Sequence, residues 1–497
     1  MADVLVAGAG PVGLTLAAEL ARYGVGVRLI DRAPHATETS KALVVWSRTL
    51  ELMDRMGCTR AFLDAGLRAP GASIRSGGKV LGNPRFDAIA SAYDFALMIP
   101  QRDTERLLAA HLSAFGIEIE RRVELVGFTE GTDGVETCLR HADGRAETMR
   151  IPWLIGCDGA HSTVRHGLGI SFEGSAQGDD WLLADVRLDG PGAPPPDEIA
   201  TYLHRDGPFV IFPIPGGRAR VVATVGQTDA THARPDPTLD DVQALIDRRA
   251  GGGFHASDPV WLTNFRINER KVARYRHGRV FLAGDAAHIH SPAGGQGMNT
   301  GMQDAINLAW KLAMVVRGTA SERLLESYSP ERSAVGDLVL RNASRLTDMA
   351  TLSNPVAQVA RNLALRFLLG LHTVRDKMAT QMSEIEIAYA DSPLSTGLAS
   401  GARWDPASYG GSPPGAGSDP RFLLYAADAA RGRALTERFP GLLNPAPRPP
   451  PDASRLFLVR PDGYVGLSTT EAGWDDAAQY LRALAAVGDG LAGGHAS

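Results

Sequence analysis

An apolar tetrapeptide, Val4-Leu5-Val6-Ala7, runs without a break into Gly8-Ala9-Gly10-Pro11-Val12-Gly13. No other stretch constrains the fold as tightly, because a short buried strand must here turn sharply into a helix. Gly8 permits the turn, Gly10 lets a pyrophosphate approach the backbone, and Gly13 lets helix and strand pack closely. Residues 13–23 carry Leu14, Leu16, Ala17, Leu20 and Ala21 at helical spacing. Val25 to Ile30 reads as a second parallel strand ending at Asp31, where a carboxylate can accept from ribose hydroxyls. Strand, helix and acid in register predict a βαβ unit that binds a dinucleotide, its pyrophosphate at the helix N-terminus.

Far downstream, Gly284-Asp285-Ala286-Ala287-His288 precedes Pro292-Ala293-Gly294-Gly295-Gln296-Gly297-Met298-Asn299. Arg279 to Gly284 reads as a strand, so Asp285 sits at its end. There it either meets a polyol chain or N-caps the following segment. Side chains at 294, 295 and 297 would block a flat ligand. A flavin dinucleotide needs contacts at both ends, so a single flavin spanning both motifs explains why they share a chain. A third constellation, Asp158-Gly159-Ala160-His161-Ser162-Thr163-Val164-Arg165, reads as strand, turn and helix. In it Asp158 and Arg165 either pair beside a nicotinamide cofactor or are purely structural. Gly251-Gly252-Gly253 and Gly415-Ala416-Gly417 fall in loops, so no second fingerprint has a βαβ setting. A nicotinamide reductant would then bind transiently.

The chain's 497 residues exceed one simple core. Residues 41–57 and 101–115 read as helices and 121–152 as a small β-meander. Alternating apolar residues from 180 to 225, punctuated by Pro and Gly, read as an antiparallel sheet inserted into the cofactor domain. Residues 330–390 read as mostly helical. There Leu363, Leu365, Phe367, Leu368, Leu369 and Leu371 are taken as core, with a pocket cap or a dimer face as alternatives. After about 395 a loop-rich linker leads to a smaller α/β unit. A net charge of −5 argues against a nucleic-acid partner. No signal peptide and no apolar run long enough to span a membrane are visible, so a cytoplasmic protein without membrane association is expected. Cys58, Cys138 and Cys157 have no CxxC spacing and read as reduced thiols. His288 and His290 lack a third ligand cluster, so no metal is expected.

GxGxxG, DGxxSxVR and GDAAHxxxPxGGQGxNxGxxDxxNLxWKL, in that order, resemble the class A flavin-dependent aromatic hydroxylases, the family of p-hydroxybenzoate and phenol hydroxylases. The last motif runs from Gly284 to Leu312 and includes Asn299, Asp304, Asn307, Trp310 and Lys311. The match covers about residues 1–340. Leu456 to Gly463 resembles part of the thioredoxin-like C-terminal domain of the phenol and aromatic polyketide hydroxylase branch.

The resemblance implies an α/β fold with three parts. These are a discontinuous Rossmann-like FAD-binding domain (1–175 and 265–395), an inserted antiparallel-sheet substrate domain (176–264) and a thioredoxin-like domain (396–497). It implies FAD bound by Gly8, Gly10, Val12 and Gly13, with Asp31 and Arg32 near the adenosine ribose and Leu125 meeting adenine through its backbone. Lys41 would meet a phosphate where many members carry Arg, and Gln101 the pyrophosphate or ribityl region. Asp158 and Asp285 join the cofactor set, the latter on the ribityl chain. Gly295, Gly297 and the amides of Met298 and Asn299 would face the flavin's pyrimidine ring. Pro292 would stand where substrate meets flavin.

The implied cycle uses NADPH (or NADH) to reduce FAD, and O2 to form a C4a-hydroperoxide that hydroxylates a phenolic or polyketide-type aromatic. Trp181, Leu183, Phe209, Ile211, Phe212, Pro213 and Arg220 are the candidate substrate contacts. Tyr202 or His204 either helps deprotonate a phenol or simply packs in the sheet. Baeyer–Villiger-type or antibiotic-inactivating oxygen insertion is the alternative chemistry. A non-catalytic flavin-binding protein is the alternative class, and a homodimer stays open beside a monomer.

Overall fold

The structure, a computed structural model, describes residues 2–39, 42–76, 79–227, 234–352 and 354–486. Its central sheet has six strands in the order Arg276–His277, Val280–Leu282, Trp153–Gly156, Val4–Ala7, Val27–Asp31 and Ile119–Arg121. All neighbours run parallel except the first pair. The three middle strands, Val280–Leu282, Trp153–Gly156 and Val4–Ala7, are buried along their whole length. Continuous apolar runs of this kind suit a parallel sheet covered on both faces. The helix Pro11–Arg22 starts with proline, whose fixed φ suits a first helical position and whose missing N–H is not needed there. The expected βαβ unit is present, its bounds shifted by one or two residues.

The second sheet has eight strands in the order His288–Ile289, His255–Lys271, Glu173–Asp189, Arg218–Gly226, Gly207–Ile214, Ile199–His204, Ala72–Ser76 and Lys79–Gly82. Two strands of 17 residues, Glu173–Asp189 and His255–Lys271, pair antiparallel at its heart. The sheet is therefore wider than segment 176–264. It takes one edge from Ala72–Ser76 and Lys79–Gly82, which join through a parallel pairing of Ala72–Ser76 with Ile199–His204.

Both faces of this sheet are apolar. Leu182, Ala184, Tyr202, Phe209, Ile211 and Val221 pack under the helix Leu239–Leu245, which opens with a Thr238–Asp241 capping box. Residues of the opposite parity, among them Val210, Phe212, Ile199 and Ile214, pack toward Val44, Trp46, Ala379, Met382 and Ile385. Trp181, Leu183, Val222 and Ile267 share that inner side.

Three helices, Tyr328–Ala350, Pro355–Leu368 and His372–Met382, form the helical extension. The core reading of their leucines needs correction. Leu363 and Phe367 are each 70% exposed, and Leu368 and Leu371 are exposed too; of the six residues named, only Leu369 is deeply buried. The cause is the way Pro355–Leu368 attaches. Gln358 donates to the Arg205 carbonyl and Asn362 to the Ser76 hydroxyl, so polar residues grip the sheet rim. The stripe Val356, Val359, Leu363 and Phe367 is left facing outward. Among the described residues no helix is long and apolar enough to cross a membrane.

The C-terminal unit has four strands in the order Thr396–Gly397, Val465–Thr470, Arg455–Val459 and Leu423–Tyr425, with helices Ala429–Arg438 and Trp474–Leu484. A buried charge cluster keys it to the rest of the molecule. Arg460 donates to both oxygens of Glu331 at 2.7 and 2.9 Å and to both oxygens of Asp462 at 3.0 and 2.6 Å. Lys311 Nζ lies 2.6 Å from Glu331, and Trp310 Nε1 donates to Asp462. Burial alone would raise the Glu331 pKa, but Arg460 and Lys311 outweigh it and hold the carboxyl well below the usual range. Replacing Arg460 with methionine leaves two buried carboxylates short of a cation. We expect a loss of about 3–5 kcal/mol, read by urea unfolding followed through tryptophan fluorescence.

Candidate active site

A cleft of about 250 Å³ opens over the C-terminal ends of the middle strands, and Gly8, Gly10, Asp31, Arg32, Gln101, Leu125 and Asp158 all line it. The three fingerprint glycines have different reasons to be glycine. Gly8 has φ +102°, and a Cβ there would lie 2.3 Å from the Cys157 carbonyl oxygen. A Cβ on Gly13 would lie 1.9 Å from the Gly8 carbonyl oxygen. A Cβ on Gly10 would meet nothing within 4 Å. Two glycines thus serve chain packing, whereas Gly10 leaves open space. The helix Pro11–Arg22 begins there without a side-chain cap, so its first amides and dipole favour an anion.

Asp31 Oδ2 accepts the Ala9 N–H at 2.7 Å, and Oδ1 accepts the Ala33 N–H at 2.7 Å. It braces the glycine turn as well as lining the cleft. Asp158 Oδ2 accepts the N–H groups of Thr163 and Val164, while its Oδ1 is buried without a protein partner. An orphaned carboxylate oxygen in a polar cleft fits a ligand hydroxyl or a bridging water. Among the described residues no ion pair joins Asp158 to Arg165. Arg165 instead donates to the carbonyls of Ala160 and Ala286 and stacks 4.0 Å over Phe172, tying the third motif to the second. The fit to an FAD adenosine–pyrophosphate half is therefore good. Lys41 lies outside the described residues.

The distant motifs meet at Val12. A Cβ on Gly284 would come 2.7 Å from Val12 Cγ2, and one on Gly301 2.8 Å from the same methyl. Asp285 is the exposed residue beside this contact. The exposed Pro292 accepts the Gly295 N–H through its carbonyl, and Gly294 and Gly295 turn with φ +87° and +64°. The helix Gly297–Val316 then starts without a side-chain cap, which leaves the Met298 and Asn299 amides available to a flat ligand. Asn299 itself points inward. Its Oδ1 accepts the Trp46 N–H, and its Nδ2 donates to the carbonyls of Val44 and Gly295. Next to Gly297, His290 has a buried Nε2 without a partner, and burial pushes its pKa down to about 4.

The substrate candidates divide between two faces. Trp181, Leu183, Phe212 and Arg220 lie on the inner face, which reaches Gly295 through Val44 and Trp46. Trp181 Nε1 is buried without a partner, and Arg220 makes a two-pronged pair with Asp185 at 2.7 and 2.8 Å. Tyr202, Phe209 and Ile211 pack on the opposite face under Leu239–Leu245, and Pro213 shares their parity. The lining role expected of them is corrected accordingly. His204 sits at that strand's end beside Asp206, near Arg249. Burial raises the Tyr202 pKa, which also runs against a role as base. The physical reason is that a strand's side chains alternate between faces, so neighbours in sequence cannot line one pocket.

Sequence reasoning missed Glu384. It is 2% exposed, adopts a left-handed φ of +61°, and accepts from Thr300 Oγ1 and Gln303 Nε2 in the first turns of the Gly297–Val316 helix. The same turn accepts Gln296 Nε2 at the carbonyls of Gln381 and Met382. Burial, with Asp304 opposing ionisation and Arg332 favouring it, raises the Glu384 pKa to about 7. No local pattern marks a glutamate that becomes buried only when a distant helix start covers it.

The FAD binding domain family matches residues 1–343. The chain is 38% identical to the 6-methylpretetramide 4-monooxygenase of Streptomyces rimosus, across 97% of this chain and 93% of that protein. It is 35% identical to a flavin-dependent monooxygenase of Mycobacteroides abscessus, across 94% and 97% of the two chains. Its fold matches the anhydrotetracycline hydroxylase of Streptomyces rimosus with a TM-score of 0.80 and 31% identity, covering 97% and 99% of the chains.

Two outcomes follow from this geometry. Gly10→Ala should shift the melting point of the FAD-free protein by no more than about 3 °C, yet weaken FAD binding at least about 10-fold; Gly13→Ala should lose the fold. Thermal melts and flavin titration separate the two effects. At Glu384 the folded carboxyl holds a proton up to about pH 7, whereas an ordinary one releases it near 4.5. The folded state therefore binds the extra proton between those values. Its contribution is complete below about pH 4.5 and is lost as pH rises through 7, by roughly 3 kcal/mol in all. Glu384→Gln should remove that slope in denaturation curves taken across the range.

Proposed function

We propose, on the premise that this chain belongs to the FAD binding domain family, that it is a single-component flavin-dependent monooxygenase. On this reading it hydroxylates a polyketide-type or phenolic aromatic ring, with NADPH or NADH as transient reductant and O2 as co-substrate. The observation that carries this is the pair of uncapped helix starts, at Gly10 and at Gly297, joined through Val12, Gly284 and Gly301. One long dinucleotide engages both. FAD, when bound, supplies the redox and oxygen chemistry.

The chain's residues hold and orient it. The amides after Gly10 take the pyrophosphate, and Asp31, Arg32, Gln101 and Leu125 take the adenosine side. Asp285 takes the ribityl chain. The Met298 and Asn299 amides present fixed dipoles to negative charge on the pyrimidine ring, at no reorganisation cost during turnover. Trp181, Leu183 and Phe212 form an apolar wall that excludes water, and the Trp181 N–H offers one directional contact to an oxygenated ring. With Tyr202 and His204 on the far face, this reading assigns no side-chain base. The C-terminal unit is read as a thioredoxin-like domain with a structural role, consistent with its lack of CxxC and its buried charged anchor. Relatives named for polycyclic polyketides that align over nearly the whole chain support that substrate class over simple phenols.

The test is anaerobic reduction of the FAD-loaded protein by NADPH, with and without a panel of phenols, naphthols and polyketide quinones. One aromatic should accelerate reduction at least about 10-fold by filling the site and orienting the reactants. Fast reduction with no aromatic, or none under any condition, would sink the reading.

A further inference from the structure

A second cavity, of about 190 Å³, lies behind Gln296, the residue that precedes the Gly297–Val316 helix. Two helices wall it. Asn342, Arg345 and Leu346 come from Tyr328–Ala350, and Met378, Gln381 and Met382 from His372–Met382. Both triplets have i, i+3, i+4 spacing, so each is a single helix face. Facing helix faces ordinarily interlock their side chains; these leave a gap.

The polar side chains that reach the gap from the two helices are open to solvent, Arg345 and Gln381 exposed and Asn342 half-buried. The Arg345 guanidinium and the side-chain amides of Asn342 and Gln381 make no hydrogen bond or ion pair among the described residues. Close by on the same helix, Ser344 donates to Glu269 and Thr347 bonds Ser291. Leu346, Met378 and Met382 give the cavity an apolar side, and methionine adapts to flat aromatic faces. The cavity also lies on the correct side of the sheet. Ala379 and Met382 pack into the cluster that holds Phe212, Val210 and Ile199. Gln296 closes the cavity toward the glycine run by bonding the carbonyls of Gln381 and Met382.

We propose that this cavity is a substrate-recognition subsite that selects a planar oxyanion on a polycyclic aromatic. Arg345 reads the two oxygens, Asn342 and Gln381 supply neutral donors, and the methionines take the ring faces. The inference rests on the aromatic-hydroxylase reading and adds the substrate's charge and the residues that read it. A guanidinium fork matches two coplanar oxygens in a way that an ammonium does not. Such oxygens belong either to a carboxylate or to an ionised hydroxy-ketone. A neutral ring gains little from the guanidinium, so the site discriminates by charge.

The experiment measures binding of three probes to the FAD-loaded enzyme through perturbation of the flavin absorbance. They are 3-hydroxy-2-naphthoate, 2-hydroxy-1,4-naphthoquinone and neutral 2-naphthol. Wild type should bind at least one anion more tightly than 2-naphthol, and the naphthoate and quinone arms tell which oxyanion fits. Arg345→Met should weaken that anion about 10-fold and leave 2-naphthol within about twofold. Arg345→Lys should fall between, and Asn342→Leu should weaken the same anion without removing the charge. Equal changes for anionic and neutral probes, no change for either, or a wild type without anion preference would overturn the subsite. A failure of the hydroxylase reading looks different: no aromatic would stimulate NADPH oxidation, while the binding comparison would still report on Arg345.

Discussion

Along one side of the helix Gly297–Val316, Asp304, Asn307 and Lys311 are buried and tied to other parts of the chain. Asp304 accepts from Arg332 at 2.6 Å, from the Gly284 N–H at 3.0 Å, and pairs with His288 at 2.7 Å. Lys311 and Asn307 reach Glu331, which Arg460 also holds. An unpaired buried charge costs several kcal/mol, so each of these groups depends on its partner being in position. The partners come from the Gly284–Asn299 motif, the Tyr328–Ala350 helix and the C-terminal unit. Rotating or sliding the helix would strand charge at several points at once. Its first turn, with the Met298 and Asn299 amides, is thereby held in one orientation.

That constraint explains how motifs so distant in sequence are held together in space. Val12 at the start of the first helix packs against Gly284 and Gly301, and Gly301 belongs to the helix whose register the charges set. Asn299 adds a lateral brace by bonding Val44 and Trp46, the residues that connect the glycine run to the inner face of the large sheet. The cleft at Gly10 is organised by a separate device. There Asp31 holds the glycine turn through Oδ2 and its own loop through Oδ1, and of the three fingerprint glycines only Gly10 is left without a neighbour.

Over the inner face the helical extension plays two roles. Its third helix seals part of the face through Ala379 and Met382 and, with the Glu384 turn, clamps the start of the Gly297–Val316 helix. Its second helix grips the sheet rim by polar side chains and turns Leu363 and Phe367 outward. Helical periodicity there is real, yet the apolar stripe points away from the core. Amphipathic spacing defines a face; what that face meets is a tertiary matter.

Much of the architecture and half of the site could be read from the sequence, because those features are local. A buried strand, a glycine turn and a helix start lie within thirteen residues, and their chemistry follows from backbone conformation and dipole alone. Gly8, Gly10 and Asp31, named from that unit, line one cleft together with Asp158 of the third motif and with Arg32, Gln101 and Leu125, which the resemblance implied. The substrate side was not legible in the same way. Alternation separates two faces of a strand, but here both faces are apolar and buried, one by Leu239–Leu245 and the other by the cluster around Val44 and Trp46. Nothing in Tyr202, Phe209 or Ile211 distinguishes them from Trp181, Leu183 and Phe212 until the sheet is docked. The edge strands Ala72–Ser76 and Lys79–Gly82, the buried Glu384 and the Arg345 cavity depend likewise on segments far away in the chain. Sequence determined the elements and the glycine-rich dinucleotide turn through short-range sterics; tertiary packing alone decided which faces and which charges meet, because those energies arise between segments that the chain order does not bring together.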